Sequence, residues 1–203
     1  MPKTAHGAIT PKADQTPIKV TLCNPDWFKQ TDKLKVASPL PEAADLEFTG
    51  EDLNFLARVL FVEASGRLAH PDAGERMREK QAIIHVCYFR LGRKGYPNNA
   101  YIADSFTDVL KAPGQFESVF KANAKMKNSV AGLCESLGQS DCLDLVDSLD
   151  AVRGFLKSGP DYKSFPFDKF LAANGRRGWT PIGGNEFSLF PANRAAMEKA
   201  AGR

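Results

Sequence analysis

Glu63 is the ionisable side chain whose position in the sequence best suits acid–base chemistry. It falls in the last turn of a predicted helix, at the edge of an apolar stripe made of Leu53, Leu56, Ala57, Leu60 and Ala64. Apolar surroundings and the negative end of a helix dipole both disfavour a charged carboxylate. A carboxyl that stays protonated near neutral pH is what a general acid needs. The alternative is a surface ion pair with Arg67, four residues later.

Histidine and cysteine offer a second kind of chemistry. His85 and Cys87 are two residues apart on one predicted helix, so their side chains point about 200° apart and cannot form a nucleophile–base pair. A pair assembled across the fold from Cys23 or Cys134 with His70 or His85 stays open. Such a pair would make the chain a Cys/His amidase or peptidase.

Neither residue type has the spacing of a zinc site, so we predict no metal. Cys134 and Cys142 flank a short segment with Gly138. They could close a loop disulfide in an oxidising compartment or stay as buried thiols.

The elements that must position these residues are mainly helical. The first helix is expected to begin at Thr49, an N-cap residue with Asp52 three positions later, and to end at Gly66. The second helix spans roughly residues 75 to 91, and Gly92 ends it. A short helix reaching Leu110 follows.

Further helices are predicted within residues 142–159 and 193–202, and a tight turn is predicted at Pro113–Gly114. Residues 170–190 are rich in glycine and aromatic residues. They favour a loop with a short hairpin.

The 203-residue composition narrows the classes of protein. Lys and Arg number 27 against 24 Asp and Glu, and this balance of +3 is too small to indicate nucleic-acid binding. No apolar run approaches 18 residues, so we expect no membrane span. Residues 1–48 carry six prolines and predict a Pro-rich, partly ordered arm. Residues 49–203 form the main domain.

Five segments follow one another in an informative order: LARVLFVEASGR, QAIIHVCYFRL, YPNN, APGQF and IGGNEFSLF. This order resembles the SleB-type cell-wall hydrolases, the spore-cortex-lytic enzyme family. That family has a helix closing in Glu-Ala-x-Gly, a second helix ending in Asn-Arg, a Pro-containing loop, a Gly-Gln-Phe motif and a late Gly-Asn-His-x-Phe-like segment. The match covers about residues 53–120 and 178–190.

The resemblance implies a mainly α (α+β) fold that is lysozyme-like, a helical domain with a small β-hairpin and a substrate groove. It implies cleavage of peptidoglycan glycan strands by a lytic transglycosylase or muramidase, with Glu63 as the catalytic acid. In the transglycosylase route one Glu protonates the leaving oxygen and then acts as base while the muramic C6 hydroxyl attacks C1. A hydrolytic route would use water and often a second carboxylate, for which Glu117, Asp104 and Glu186 are candidates.

The expected substrate-binding residues come from these motifs and from nearby aromatic residues. Gln115 would bind the glycan or orient Glu63, and aromatic faces would stack on sugar rings. The full set is Gln115, Phe116, Glu117, Tyr96, Tyr101, Trp179, Asn185 and Glu186. Three positions depart from the family pattern: Phe89–Arg90 replaces Asn-Arg, Glu186 replaces the late His, and Glu117 follows the Gly-Gln-Phe motif, often followed by Ser.

The partner implied is the peptidoglycan glycan strand, and no cofactor is needed. The first 20 residues lack the apolar stretch of a signal peptide, so we expect delivery to the periplasm or cell wall by phage lysis or a type VI secretion system. The effector route predicts an immunity protein that plugs the groove. We expect a monomer. The remaining alternative is a non-catalytic peptidoglycan-binding module.

Overall fold

The computed structural model describes residues 34–36, 46–48, 50–93, 102–103, 105–116, 119 and 139–202. This part of the chain is mainly helical with a small antiparallel sheet, which confirms the α+β prediction at that level. Among the described residues, no helix is long and apolar enough to cross a membrane. The elements are β1 (Leu34–Val36), β2 (Leu46–Phe48), α1 (Gly50–Glu63), α2 (Ala73–Arg90), α3 (Phe106–Lys111), α4 (Gln139–Ser158), β3 (Lys169–Ala172), β4 (Thr180–Ile182), β5 (Asn185–Ser188), a 3-10 turn (Pro191–Asn193) and α5 (Arg194–Ala200).

Helix α2 is the central element of the fold. Its second half is buried on every side, from residue 82 to the C-cap residue Leu91. Helices α3 and α4 each contact both α1 and α2, and strands β3 and β4 contact α2 as well. The helix starts two residues earlier than predicted, because the carboxylate of Asp72 accepts a hydrogen bond from the Glu75 amide at 2.7 Å and caps it.

The glycine-rich segment predicted as loop and hairpin forms a three-stranded antiparallel sheet, in the order β3-β5-β4. Strands β4 and β5 are the predicted hairpin, with Thr180 opposite Phe187. Strand β3 extends it on the other edge of β5, where Phe170 pairs with Phe187. The Phe187 ring is fully buried, and its centroid lies 5.3 Å from that of Phe167 and 5.7 Å from that of Phe170. These aromatic contacts join β5 to β3 and to the segment before it. A separate two-stranded sheet pairs β1 with β2.

His85 joins α2 to the chain that follows α4. Its Nδ1 lies 2.7 Å from the Gln81 carbonyl, and its Nε2 accepts a hydrogen bond from the Asp161 amide at 2.8 Å. The ring also stacks on Phe165 at a centroid distance of 4.6 Å. Nδ1 therefore carries the proton, and the imidazole is neutral. Burial lowers the pKa of His85 below its ordinary value.

Acidification should destabilise the fold through this histidine. Because the folded-state pKa of His85 lies below 6.5, its contribution is complete above that pH and is lost progressively as the pH falls below it. We expect the free energy of unfolding to drop by up to about 1.4 kcal/mol per pH unit in this window. Urea unfolding at pH 7.5 and 5.5 measures the slope. The control is His85→Gln, whose oxygen can accept from the Asp161 amide without titrating. Equal slopes in the two proteins would refute the assignment.

Candidate active site

Glu63 is the last residue of α1, and its side chain is half-buried. Its backbone carbonyl accepts a hydrogen bond from Nδ2 of Asn185 at 3.0 Å. Asn185 opens β5 and stands 122 positions later in the chain. The contact therefore brings the Glu-Ala-Ser-Gly segment and the late Gly-Gly-Asn-Glu-Phe segment together at the end of α1.

Glu79 on α2 binds both of these segments, and its side chain is completely buried. One carboxylate oxygen accepts from the Ser65 amide at 2.8 Å. The other accepts from the Gly184 amide at 2.9 Å, from Asn185 Nδ2 at 2.7 Å and from the Ser65 hydroxyl at 3.3 Å. Four donors thus satisfy a carboxylate that water cannot reach. Glu79, Ser65, Gly184 and Asn185 are called the Glu79 clamp below.

Two aspartates of α4 hold the loop that follows Glu63. The Arg67 amide donates to both oxygens of Asp144, at 3.1 and 3.0 Å. The Arg67 guanidinium donates to Asp147 at 2.8 Å, and its Nε lies 3.2 Å from Asp144. The Arg67 guanidinium is therefore paired with Asp144 and Asp147 of α4. Gly66 has no room for a side chain, since a Cβ there would lie 2.6 Å from the Asp144 carboxylate.

Two buried cations of α2 complete this support. Arg76 donates to the carbonyls of residues 70 and 71, at 2.9 and 2.7 Å, and lies 3.3 Å from Asp147. Lys80 donates to the Ser65 carbonyl at 3.3 Å. Burial lowers the pKa of Lys80, although the neighbouring carboxylates of Asp147 and Glu79 oppose that shift. The loop after Glu63 is thus fixed by charged side chains from two helices.

The Gly-Gln-Phe motif reaches the rest of the fold through Arg90. The Gln115 side-chain oxygen accepts from Arg90 at 2.9 Å, and the same guanidinium donates twice to the Asp168 carbonyl, at 3.2 and 3.1 Å. Phe116 is fully buried, with its ring 5.8 Å from that of Phe170. Phe116 therefore packs in the core and has no surface to offer a glycan.

Asn185 and Glu186, both expected at the substrate, bind other parts of the protein. The Asn185 amide nitrogen bridges the Glu63 carbonyl and the Glu79 carboxylate. Glu186 is buried and accepts from the Gly175 amide at 2.6 Å and from the Arg176 guanidinium at 3.0 Å. Burial alone would raise the pKa of Glu186, but hydrogen bonds from Arg176 and Gly175 outweigh it and hold that pKa below its usual value. Glu186 thereby fixes the loop between β3 and β4.

Trp179 is half-buried on that loop. The Lys169 ammonium lies 5.1 Å from its ring centroid and the Arg176 guanidinium 5.4 Å, both within cation–π range. Four other predicted residues lie outside the described part of the chain: Tyr96, Tyr101, Asp104 and Glu117.

Cys87 is buried, and its burial raises the pKa of the thiol to about 12. A thiol of this kind is a poor nucleophile at neutral pH. Both ring nitrogens of His85 are engaged by backbone groups. Cys23 and Cys134 lie outside the described residues. A Cys–His pair built on either of them stays a prediction, as does the choice between a Cys134–Cys142 disulfide and buried thiols.

The sequence analysis did not identify Glu79, Arg76 and Lys80 as site residues, although the sequence carries a signal for them. Arg76, Glu79, Lys80 and Ile83 occupy positions i, i+3, i+4 and i+7. Helical periodicity therefore places three charges on the same face as a core residue. Charges that continue an apolar stripe indicate a buried, paired cluster better than a solvated surface.

Gly183 should tolerate a side chain far less well than Gly175. Both have positive φ, 59° and 80°, so alanine costs about 1–2 kcal/mol of backbone strain at either position. A Cβ at Gly183 would also lie 2.5 Å from the Glu79 carboxylate, whereas one at Gly175 meets nothing within 4 Å. We expect Gly183→Ala to lower the free energy of unfolding by about 1–3 kcal/mol more than Gly175→Ala. Urea unfolding measures both, and equal losses would contradict the contact.

The chain was compared with known proteins at three levels. No protein-family model, no curated protein and no solved structure matches it. The resemblance drawn from motif order therefore stays an expectation.

Proposed function

We propose that this protein cleaves the glycan strands of peptidoglycan, with Glu63 as general acid and then general base. The hydrogen bond from Asn185 to the Glu63 carbonyl carries the proposal. It joins the first and last motifs of the resemblance at the residue that the family pattern makes catalytic. A chance similarity in motif order gives no reason for two segments so far apart in the chain to meet there.

The position of Glu63 also suits the chemistry. Cleavage of a glycosidic bond requires a proton on the leaving oxygen and stabilisation of an oxocarbenium-like state. Glu63 is half-buried at the carboxyl end of α1, next to the buried residues Leu60 and Ala64. The proposal includes a lysozyme-like arrangement of the helices, with a groove for the glycan beside this carboxyl.

We favour the lytic transglycosylase route over hydrolysis. Glu63 would donate its proton to the leaving oxygen and then take the proton of the muramic C6 hydroxyl as that oxygen bonds to C1. This route needs one carboxylate, whereas hydrolysis often uses a second to activate water. Glu186, the described candidate for that role, is bound by Gly175 and Arg176. The expected product carries a 1,6-anhydro end.

Glu63→Gln should strongly slow the cleavage of purified sacculi, because an amide cannot supply the proton. We expect the rate of muropeptide release to fall by about 10²–10⁴-fold. Chromatography with mass spectrometry measures the rate and identifies the new ends. The matched control is Glu198→Gln, which replaces an exposed carboxylate on α5 and should leave the rate unchanged.

The products separate the competing functions. Anhydro ends support the transglycosylase route, and reducing ends indicate a hydrolase. Free stem peptides would show an amidase or peptidase. If the wild-type protein sediments with sacculi and releases nothing, it is a binding module. Wild-type rates from Glu63→Gln would remove Glu63 from the mechanism.

A further inference from the structure

We infer that Glu79 is a positioning residue for Glu63, acting through Ser65 and Asn185. The inference deepens the proposed function and rests on it. Glu79 lies on a different helix from Glu63 and is completely buried, so it has no access to a substrate. Its influence must pass through the protein groups that it binds.

The backbone on either side of Ala64 is the first link between Glu79 and Glu63. Helix ends leave their last carbonyl groups without partners inside the helix. Here the Glu63 carbonyl accepts from Asn185 and the Ser65 carbonyl accepts from Lys80. The Ser65 amide donates to Glu79. Three side chains therefore fix the peptide groups after Glu63 and set the direction in which its side chain leaves the helix.

Glu79 determines two of these three contacts to the backbone after Glu63. It accepts the Ser65 amide directly. It also holds Asn185 at 2.7 Å, and the same Asn185 nitrogen donates to the Glu63 carbonyl. One carboxylate thus couples the end of α1 to the start of β5. Lys80 makes the third contact and is next to Glu79 on α2. The negative charge of Glu79 favours the charged form of the Lys80 ammonium.

The Glu79 clamp needs a carboxylate. Glu79 makes all four of its hydrogen bonds as an acceptor, and both of its oxygens are used. A glutamine has one acceptor oxygen and an NH₂ group that only donates. If its oxygen stays with Gly184 and Asn185, its NH₂ faces the Ser65 amide, donor against donor. In the opposite orientation its NH₂ faces the Gly184 and Asn185 donors instead. Glu79→Gln therefore breaks one side of the clamp with almost no change of volume.

A purely structural role would give a different result. In that case Glu79 would only attach the β4–β5 hairpin to α2, and its loss would lower stability without changing the turnover of molecules that fold. A positioning role changes kcat in the folded protein and leaves KM nearly constant, because the glycan does not contact Glu79. The two roles can therefore be separated by kinetics normalised to the folded fraction.

The experiment uses the full chain with Glu79→Gln, Glu63→Gln and the control Glu75→Gln on the same helix. Thermal unfolding gives the folded fraction, and muropeptide release is followed against sacculus concentration and pH. We expect Glu79→Gln to lower kcat at least tenfold, to keep KM within twofold and to shift the pH profile. Glu75→Gln, whose carboxylate pairs only loosely with Arg78 at 3.6 Å, should behave like the wild type. A wild-type kcat for folded Glu79→Gln would overturn the inference.

A fallback variant and the comparison with Glu63→Gln keep the test decisive. If Glu79→Gln does not fold, Asn185→Ala replaces it, because it removes the donor to the Glu63 carbonyl while Glu79 keeps its bonds to Ser65 and Gly184. Wild-type kcat in that variant would equally overturn the inference. A wild-type rate in Glu63→Gln refutes the proposed role of Glu63 itself, whereas a rate that falls in Glu63→Gln and is kept in Glu79→Gln refutes only the role of Glu79.

Discussion

A carboxylate sealed inside a protein must collect its hydrogen bonds from the protein itself, and Glu79 imposes this requirement on the whole site. Its four donors come from the turn after α1 and from the β4–β5 hairpin. The two segments can meet only if the hairpin approaches α2 closely. Gly183 and Gly184 allow that approach, since any side chain there would overlap the Glu79 clamp. The arrangement at the end of α1 therefore follows from the hydrogen bonds that the buried Glu79 carboxylate requires.

Paired charges also hold the loop that follows Glu63. Arg67, Arg76 and Lys80 face Asp144 and Asp147 of α4 together with Glu79 of α2. Removal of one member of such a buried group leaves an uncompensated charge, which costs more than the pair itself contributes. The loop is therefore held by directional contacts, and directional contacts define one backbone path more sharply than apolar packing does.

The sequence predicted the parts of this structure that repeat a local pattern. The apolar period of α1 placed Glu63 at its end, and the breaks at Gly92 and Pro113–Gly114 limited α2 and α3. The pairing of β3 with β5 was missed, because it depends on contacts between residues far apart in the chain. Glu186 and Asn185 looked like ligand-binding residues, since a polar residue beside Gly and Phe carries no local sign that Arg176 or Glu79 will bind it.

The burial of the second half of α2 on every side determines how its amides become exposed to solvent. From Ala82 to Leu91 its backbone lies under α3, α4 and the sheet, so no local fraying exposes these amides. Their exchange with solvent deuterium requires the surrounding elements to separate. The amides of α5, whose side chains are mostly exposed, need no such event. We therefore expect the second half of α2 to exchange more slowly than α5, and the same helix carries the carboxylate on which the site depends.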